Sequence, residues 1–208
     1  MPNAQRTPVV PLEAGAGPEN PPCPACGEPL FGWLPPRPGL DGPVTRCESC
    51  GLGVVGAPGE PGQALRELGH LGSEAPRIAN RASFAASLGS AGWTGLEPGA
   101  RYLFTVESVR RLAARRDQVV KSSRWAPAAS LAATWQTLLN SVTFGHNVAL
   151  GALGRSKAAK APRPWQRRID TLASIVLAIP ALLIALPVEL AAALTGRGAV
   201  LSLRLELL

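Results

Sequence analysis

With 208 residues, 22 of them Gly and 21 Pro, the chain has room for one ordinary domain or two small ones, and it holds too much Gly and Pro for every segment to pack. The formal charge of +7 is unevenly placed: residues 1–100 carry 6 Lys+Arg against 9 Asp+Glu, and residues 101–208 carry 15 against 5. Eighteen basic residues are Arg and only 3 are Lys, a bias that a GC-rich genome imposes, so a pI near 10.1 does not by itself select a nucleic-acid binder.

Residues 1–20, MPNAQRTPVVPLEAGAGPEN, contain no continuous apolar run. They read as disordered and not as a signal peptide, which places the amino-terminal half in the cytoplasm. The next segment, residues 21–56, holds all four cysteines as Cys23-x-x-Cys26 and Cys47-x-x-Cys50, with twenty residues between the pairs. In a reducing compartment this spacing reads as a four-thiolate zinc ribbon; a redox dithiol or four ordinary buried cysteines are the plainer alternatives. Gly27 and Gly51 follow the second Cys of each pair, where a metal knuckle turns sharply. Pro29–Leu34 and Val44–Arg46 are the expected strands around the turn PPRPGLDG. Four thiolates complete the tetrahedron, so the zinc is expected to be structural. His70 and His146, each far from a second ligand in sequence, read as ordinary residues.

Residues 57–100 read as a Gly/Ala/Pro-rich linker with partial helix in GQALRELGHLG and ANRASFAASLG, neither apolar enough for a core. Order resumes at RYLFTVESVRRLAARRDQVVKSS. Thr105 is the expected N-cap, Glu107 lies in the first turn, and Phe104 can staple onto Val109. A strand is expected at Gln118–Ser122. PAASLAATWQTLLNSV then reads as a core helix, with Leu131, Trp135, Leu138, Leu139 and Val142 on the buried face behind Pro127.

The segment GRSKAAKAPRPWQRR carries Arg155, Lys157, Lys160, Arg163, Arg167 and Arg168 with no acid, the composition of a cytoplasmic, anionic membrane face. An apolar helix or helical hairpin over residues 170–195 follows. Thr171 to Val188 is uncharged and would measure about 27 Å as a helix, against a hydrocarbon core of about 30 Å. Extension to Thr195 admits only Glu189. Pro180 and Pro187 interrupt the helix hydrogen bonding, which favours a bent helix at the membrane interface or against a protein core over a simple span. The chain closes in AVLSLRLELL, whose alternating Leu201, Leu203, Leu205 and Leu207 form a half-buried strand. That strand is expected to pair with Gln118–Ser122, the apolar segment folding between them.

Together CPACG, RCESCGL, YLFTVESVRRLAAR, WQTLLNSVTFGHN and GRGAVLSLRLEL resemble the layout of bacterial class I S-adenosylmethionine-dependent methyltransferases that begin with a zinc ribbon. The resemblance covers Cys23–Leu52 and the chain from Tyr102 onward. It implies a Rossmann-like half between these parts, yet fewer than fifty residues separate Leu52 from Tyr102. No acidic residue followed by G-x-G is present, GLGVVGAPG lacks a preceding strand, and Ala114–Asp117 departs from the pattern expected before the sixth strand. Only the zinc ligands Cys23, Cys26, Cys47 and Cys50 carry over; no catalytic or S-adenosylmethionine-binding residue does.

The resulting expectation is an α+β chain: a zinc ribbon, a flexible linker, and a mainly helical part, residues 101–208, with a two-stranded antiparallel pair and one long apolar helix or hairpin. Its expected function is that of an interaction or adaptor protein, a methyltransferase remnant. It would contact an unidentified protein partner and, through residues 155–195, either lie on the inner face of the cell membrane or span it once near the C-terminus. The alternatives are an active methyltransferase with an unrecognised site, or a nucleic-acid-binding ribbon. Against the latter, the ribbon sets Arg37 and Arg46 against Glu28, Asp41 and Glu48. Nucleic acid would have to bind through Arg110–Arg168 instead.

Overall fold

Mixed antiparallel sheet and helix, as expected, make up the fold in a computed structural model that describes residues 20–36, 40–70, 77–159 and 163–207. The expectation of disorder over residues 1–20 lies, apart from Asn20, outside the described residues, as does Lys160. Two of the ribbon strands fall where the sequence places them, β1 at Leu30–Leu34 and β2 at Val44–Cys47. A third, β3 at Gly53–Val55, continues the sheet. The fourth member of that sheet, Tyr102–Leu103, comes from beyond the expected linker and pairs antiparallel with β3, Gly53 opposite Leu103 and Val54 opposite Tyr102. The ribbon is thus continuous with the carboxy-terminal part.

The segment 57–100 has helices in both stretches where partial helix is expected, and its described residues also supply strands and core side chains. It contains α1 (Pro61–His70), β4 (Arg77–Ala79), α2 (Phe84–Gly89) and a 3-10 turn at Ser90–Gly92, followed by the short strand just described, β5 (Tyr102–Leu103). Each element is too short to own a core, which is why composition reads them as linker. They instead lend a few apolar side chains to cores owned by others. Leu65, Leu68 and Ile78 join Cys23, Cys47, Leu52, Phe104, Val109, Leu112, Leu201 and Leu203 in one cluster. Ala85, Trp93 and Leu96 join Val44, Val55, Leu103 and Ala199 in the other. Leu65, Ile78 and Trp93 alone contribute about 1.5–3 kcal/mol each on full burial.

Helix α3 (Val106–Ala114) starts as predicted: the Thr105 hydroxyl accepts from the Ser108 amide, Ser108 reciprocates on the Thr105 amide, and Phe104 and Val109 are both buried. Asp117, at φ 52°, turns the chain into β6 (Gln118–Trp125), three residues longer than expected. Strand β6 pairs antiparallel with β7 (Val200–Leu207) from Gln118 opposite Leu207 to Trp125 opposite Leu201, the predicted pairing. Strand β4 adds to the other edge of β7, giving the order β4-β7-β6.

Among the described residues four helices lie between β6 and β7: α4 (Pro127–Asn140), α5 (Val148–Ala152), α6 (Pro164–Val176) and α7 (Ala178–Leu194). The expected buried face of α4 is corrected here. Leu139 is buried, but Val142 is exposed, and Leu131, Trp135 and Leu138 are half-buried. The buried positions are Ser130, Ala133, Thr134, Gln136, Thr137 and Asn140, because neighbours press on several sides of α4 and hydrogen-bond to it.

Of the alternatives expected for the apolar segment, a single helix or a bent or hairpin pair, the structure has the bent pair, two helices meeting at 60° around Leu177. Pro180 has no amide to bond the Val176 carbonyl, so α6 ends there and α7 restarts. Glu189, expected as a cost near the end of a span, is instead buried against α4 and β6. It accepts from the Trp125 indole at 3.2 Å and from the Thr134 hydroxyl. Glu189→Ala is expected to lower stability by about 1–3 kcal/mol, since the buried Thr134 hydroxyl and the partly buried Trp125 indole lose their acceptor, and urea unfolding checks it.

Candidate metal centre and outward apolar surface

The four sulfurs lie within 4.8 Å of one another on two turns that the sequence dictates. Gly27 (φ 85°) and Gly51 (φ 74°) adopt left-handed backbone directly after Cys26 and Cys50, closing the knuckles with the bonds Gly27 N to Cys23 O and Gly51 N to Cys47 O. The separations Cys23 Sγ to Cys50 Sγ, 3.6 Å, and Cys26 Sγ to Cys47 Sγ, 3.4 Å, approach the edge of about 3.8 Å of a tetrahedron with metal–sulfur bonds of about 2.3 Å. Such a donor set, three members of it buried, fits a closed structural metal centre.

Backbone amides prepare the sulfurs for charge. Cys23 is held at about 5, first by the Cys50 thiol that hydrogen-bonds it and then by the amides of Ala25 and Cys26, which outweigh desolvation. Cys50 is pushed up, chiefly as the donor to Cys23 and by burial, so the pair keeps one proton between its two sulfurs. Burial also raises Cys26. A metal entering near neutral pH must therefore displace the protons of Cys26 and Cys50, and its affinity rises with pH.

Two groups from outside the ribbon fasten the second knuckle. While its oxygen accepts from Ser108, the Thr105 hydroxyl donates to the Cys50 carbonyl at 2.6 Å. Arg81, in the loop after β4, donates through Nε to the Gly51 carbonyl at 2.6 Å and lies over the Trp33 ring at 4.8 Å. Burial is the first reason its guanidinium sits below its usual range, with Arg46 as the next cause. A Cβ at Gly51 would stand 2.9 Å from Thr105 Cγ2, so helix α3 and the knuckle fit only with glycine between them. Thr105→Val removes the cap acceptor and the Cys50 contact together. A loss of about 1–3 kcal/mol is expected, read as a lower midpoint in guanidinium unfolding of the metal-loaded protein.

The second feature is a surface with its residues turned inside out. Along α7 the inward positions are Ala181, Ala185, Glu189 and Ala192, and Glu189 is only 2% exposed. Ile179 is 70% exposed and Leu194 83%, with Leu183, Ile184, Leu186 and Leu190 also outside. Small residues let α7 approach α4 closely, and the Trp135 indole donates to the Ala178 carbonyl at 2.8 Å.

Helix α6 behaves alike: Asp170 is buried and accepts from the Phe144 and Gly145 amides at 2.7 and 2.9 Å. Trp165, Ile169, Leu172 and Val176, spaced i, i+4, i+7, i+11, form an exposed apolar face. Phe144 meets Trp165 edge-on at 5.6 Å on the same surface. Arg155, Lys157, Arg163, Arg167 and Arg168 are all exposed along the approach to these helices. Thr171 and Thr195 are exposed at the margins, and Val188 is half-buried. No single helix among the described residues is long and apolar enough to cross a membrane; the bent pair α6–α7 passes by length and composition only.

The sequence located the four sulfurs and the basic-apolar succession. It gave no sign of Arg81 and did not reveal that Asp170 and Glu189 face inward. Two acids inside a long apolar stretch, each with amide or hydroxyl donors to find, were the available signal. The backbone of His146 bridges Ala159, and the side chain of His70 lies outside what is described. No protein-family model, curated protein or solved structure matches this chain.

Proposed function

We propose that the chain is a metal-braced interaction protein that docks on the anionic inner face of a membrane and presents its ribbon side to a protein partner. The carrying observation is the inversion of α6 and α7, whose acids and alanines face the protein while their large aliphatics face outward. An exposed surface of this extent marks an interaction site. Five exposed cations and two aromatics beside it match the chemistry of an anionic lipid surface. The 60° bend favours a pair lying in the interface over one that spans.

In this reading the metal is zinc, held by Cys23, Cys26, Cys47 and Cys50, and its role is structural. The chain retains the ribbon and closing strands of the methyltransferase layout it resembles, without a cofactor site of its own. What supports this reading is that the strand pairings among the described residues are antiparallel. Fractionation of cells producing the full chain tests the proposal. Recovery with the membrane fraction, released by detergent, is expected together with a copurifying protein. A monodisperse protein with no membrane affinity and no partner would contradict it, and micromolar S-adenosylmethionine binding by calorimetry would restore the enzyme.

A further inference from the structure

Between α4 and the β4–β5 side of the sheets lies a cavity of about 840 Å³, within the usual range for small-molecule sites. It is a cleft open to solvent at its rim. The space exists because α4 turns four alanines, Ala128, Ala129, Ala132 and Ala133, toward it, while Ile78, Trp93, Leu103 and Phe104 form the opposing apolar lining.

The polar wall is held in place by buried hydrogen bonds. Asn147, at φ 55°, donates to the Thr94 carbonyl and to Ser156 Oγ, both at 3.0 Å. The Thr94 hydroxyl donates to the Ala133 carbonyl at 2.9 Å, and Ser156 donates to Glu97 at 2.8 Å. Because these bonds fix the loop Thr94–Gly99 against α4, the cavity is preformed.

The rim is cationic and uncommitted. Arg77, Arg155 and Lys157 are exposed, and none makes an ion pair with a carboxylate among the described residues. Lys157 reaches across the mouth until Nζ lies 3.9 Å from where a Gly99 Cβ would stand. Glu97, accepting from Ser156, and Glu67, accepting from the Arg101 amide at 3.4 Å, keep their charge at the rim, where the three cations outnumber them. We propose that this cavity binds an organic anion with an extended apolar body, a long-chain carboxylate or lysophosphate, with its chain along the alanine wall of α4 and its head at Arg155 and Lys157. Arg155 and Lys157 also belong to the basic approach to α6 and α7, but the alanine wall of α4 and the loop Thr94–Gly99 do not, so the inference does not need the membrane reading.

The test titrates zinc-loaded full-length protein with palmitate, palmitoyl lysophosphatidate and uncharged hexadecanol, each below its micelle concentration, by calorimetry with native mass spectrometry for stoichiometry. One-to-one binding of at least one anion is expected, with hexadecanol roughly tenfold weaker or more, and the preferred anion identifies the head group. Ala132→Phe and, at an exposed position, Ala128→Trp should each weaken binding about tenfold or more by filling the cavity. Arg155→Glu with Lys157→Glu should erase the preference over hexadecanol. Ile179→Glu with Leu183→Glu, on the outer surface, should change nothing. Absence of binding by both anions, or binding that survives both filling variants, or binding lost only in the Ile179/Leu183 variant, would overturn the proposal.

Discussion

Stripping the metal, or replacing Cys47 by Ser, is expected to unfold the protein as a whole and not the ribbon alone. Cys23, Cys47 and Cys50 sit in the same core as Ile78, Val109, Leu112, Leu201 and Leu203, and no boundary separates ribbon from remainder. Sheet β1-β2-β3-β5 crosses from one to the other, and Thr105 and Arg81 tie the knuckle to α3 and to the β4–α2 loop. Structural zinc in small sites contributes on the order of 10 kcal/mol or more, comparable with the whole stability of an ordinary domain, about 5–15 kcal/mol. Chelator titration followed by circular dichroism should therefore show helix and strand lost in one transition. A chelated protein that keeps its α4–α7 helicity would show that the carboxy-terminal part folds alone.

Acid should act on the same centre. Cys23 is held at about 5, chiefly by the Cys50 thiol, so its thiolate, the form a metal needs, is present above that value and is lost as pH falls through it. Metal loss adds to this, because protons compete for all four sulfurs.

The second large effect concerns lipid. Ile179→Glu with Leu183→Glu places two charges on side chains 70% and 64% exposed, so the fold loses little, within about 0.5 kcal/mol per site. Vesicle binding, however, should fall by well over tenfold, because each charge must enter the interface where an aliphatic group lay. Arg163→Glu with Arg168→Glu should weaken binding to anionic vesicles by roughly tenfold or more, at about 1 kcal/mol for each cation lost and further for each sign reversed. Added salt should weaken the wild type in the same direction. Should these variants bind as the wild type does, while gel filtration shows a dimer that the Ile179/Leu183 variant dissociates, the surface would belong to a second copy.

How much of this was legible depended on whether the signal was local. Thr105 announced its cap because the partner, Ser108, is three residues away, and Gly27 and Gly51 announced left-handed turns because the C-x-x-C spacing demands them. The β6–β7 pairing was legible from alternation at both ends. The contribution of Ile78 was not, since β4 is three residues long and gains its place only by pairing with Val200–Ser202, over 120 positions later. Helix α4 misled for a related reason: periodic Leu131, Trp135 and Leu138 defined an apolar face, but long-range partners such as Glu189, Val200 and Thr94 reward the polar one. The position of the bend was readable only in part. Pro180 and Pro187 are alike in sequence, yet α7 absorbs Pro187 and breaks before Pro180.

The most direct test of membrane docking is hydrogen exchange of the full-length, metal-loaded protein with and without phosphatidylglycerol-containing vesicles. The docking account predicts slowed exchange confined to residues 163–195, with α3, β6 and the ribbon unchanged, and no slowing with purely zwitterionic vesicles. Exchange over 163–195 that is identical with and without anionic lipid would contradict it.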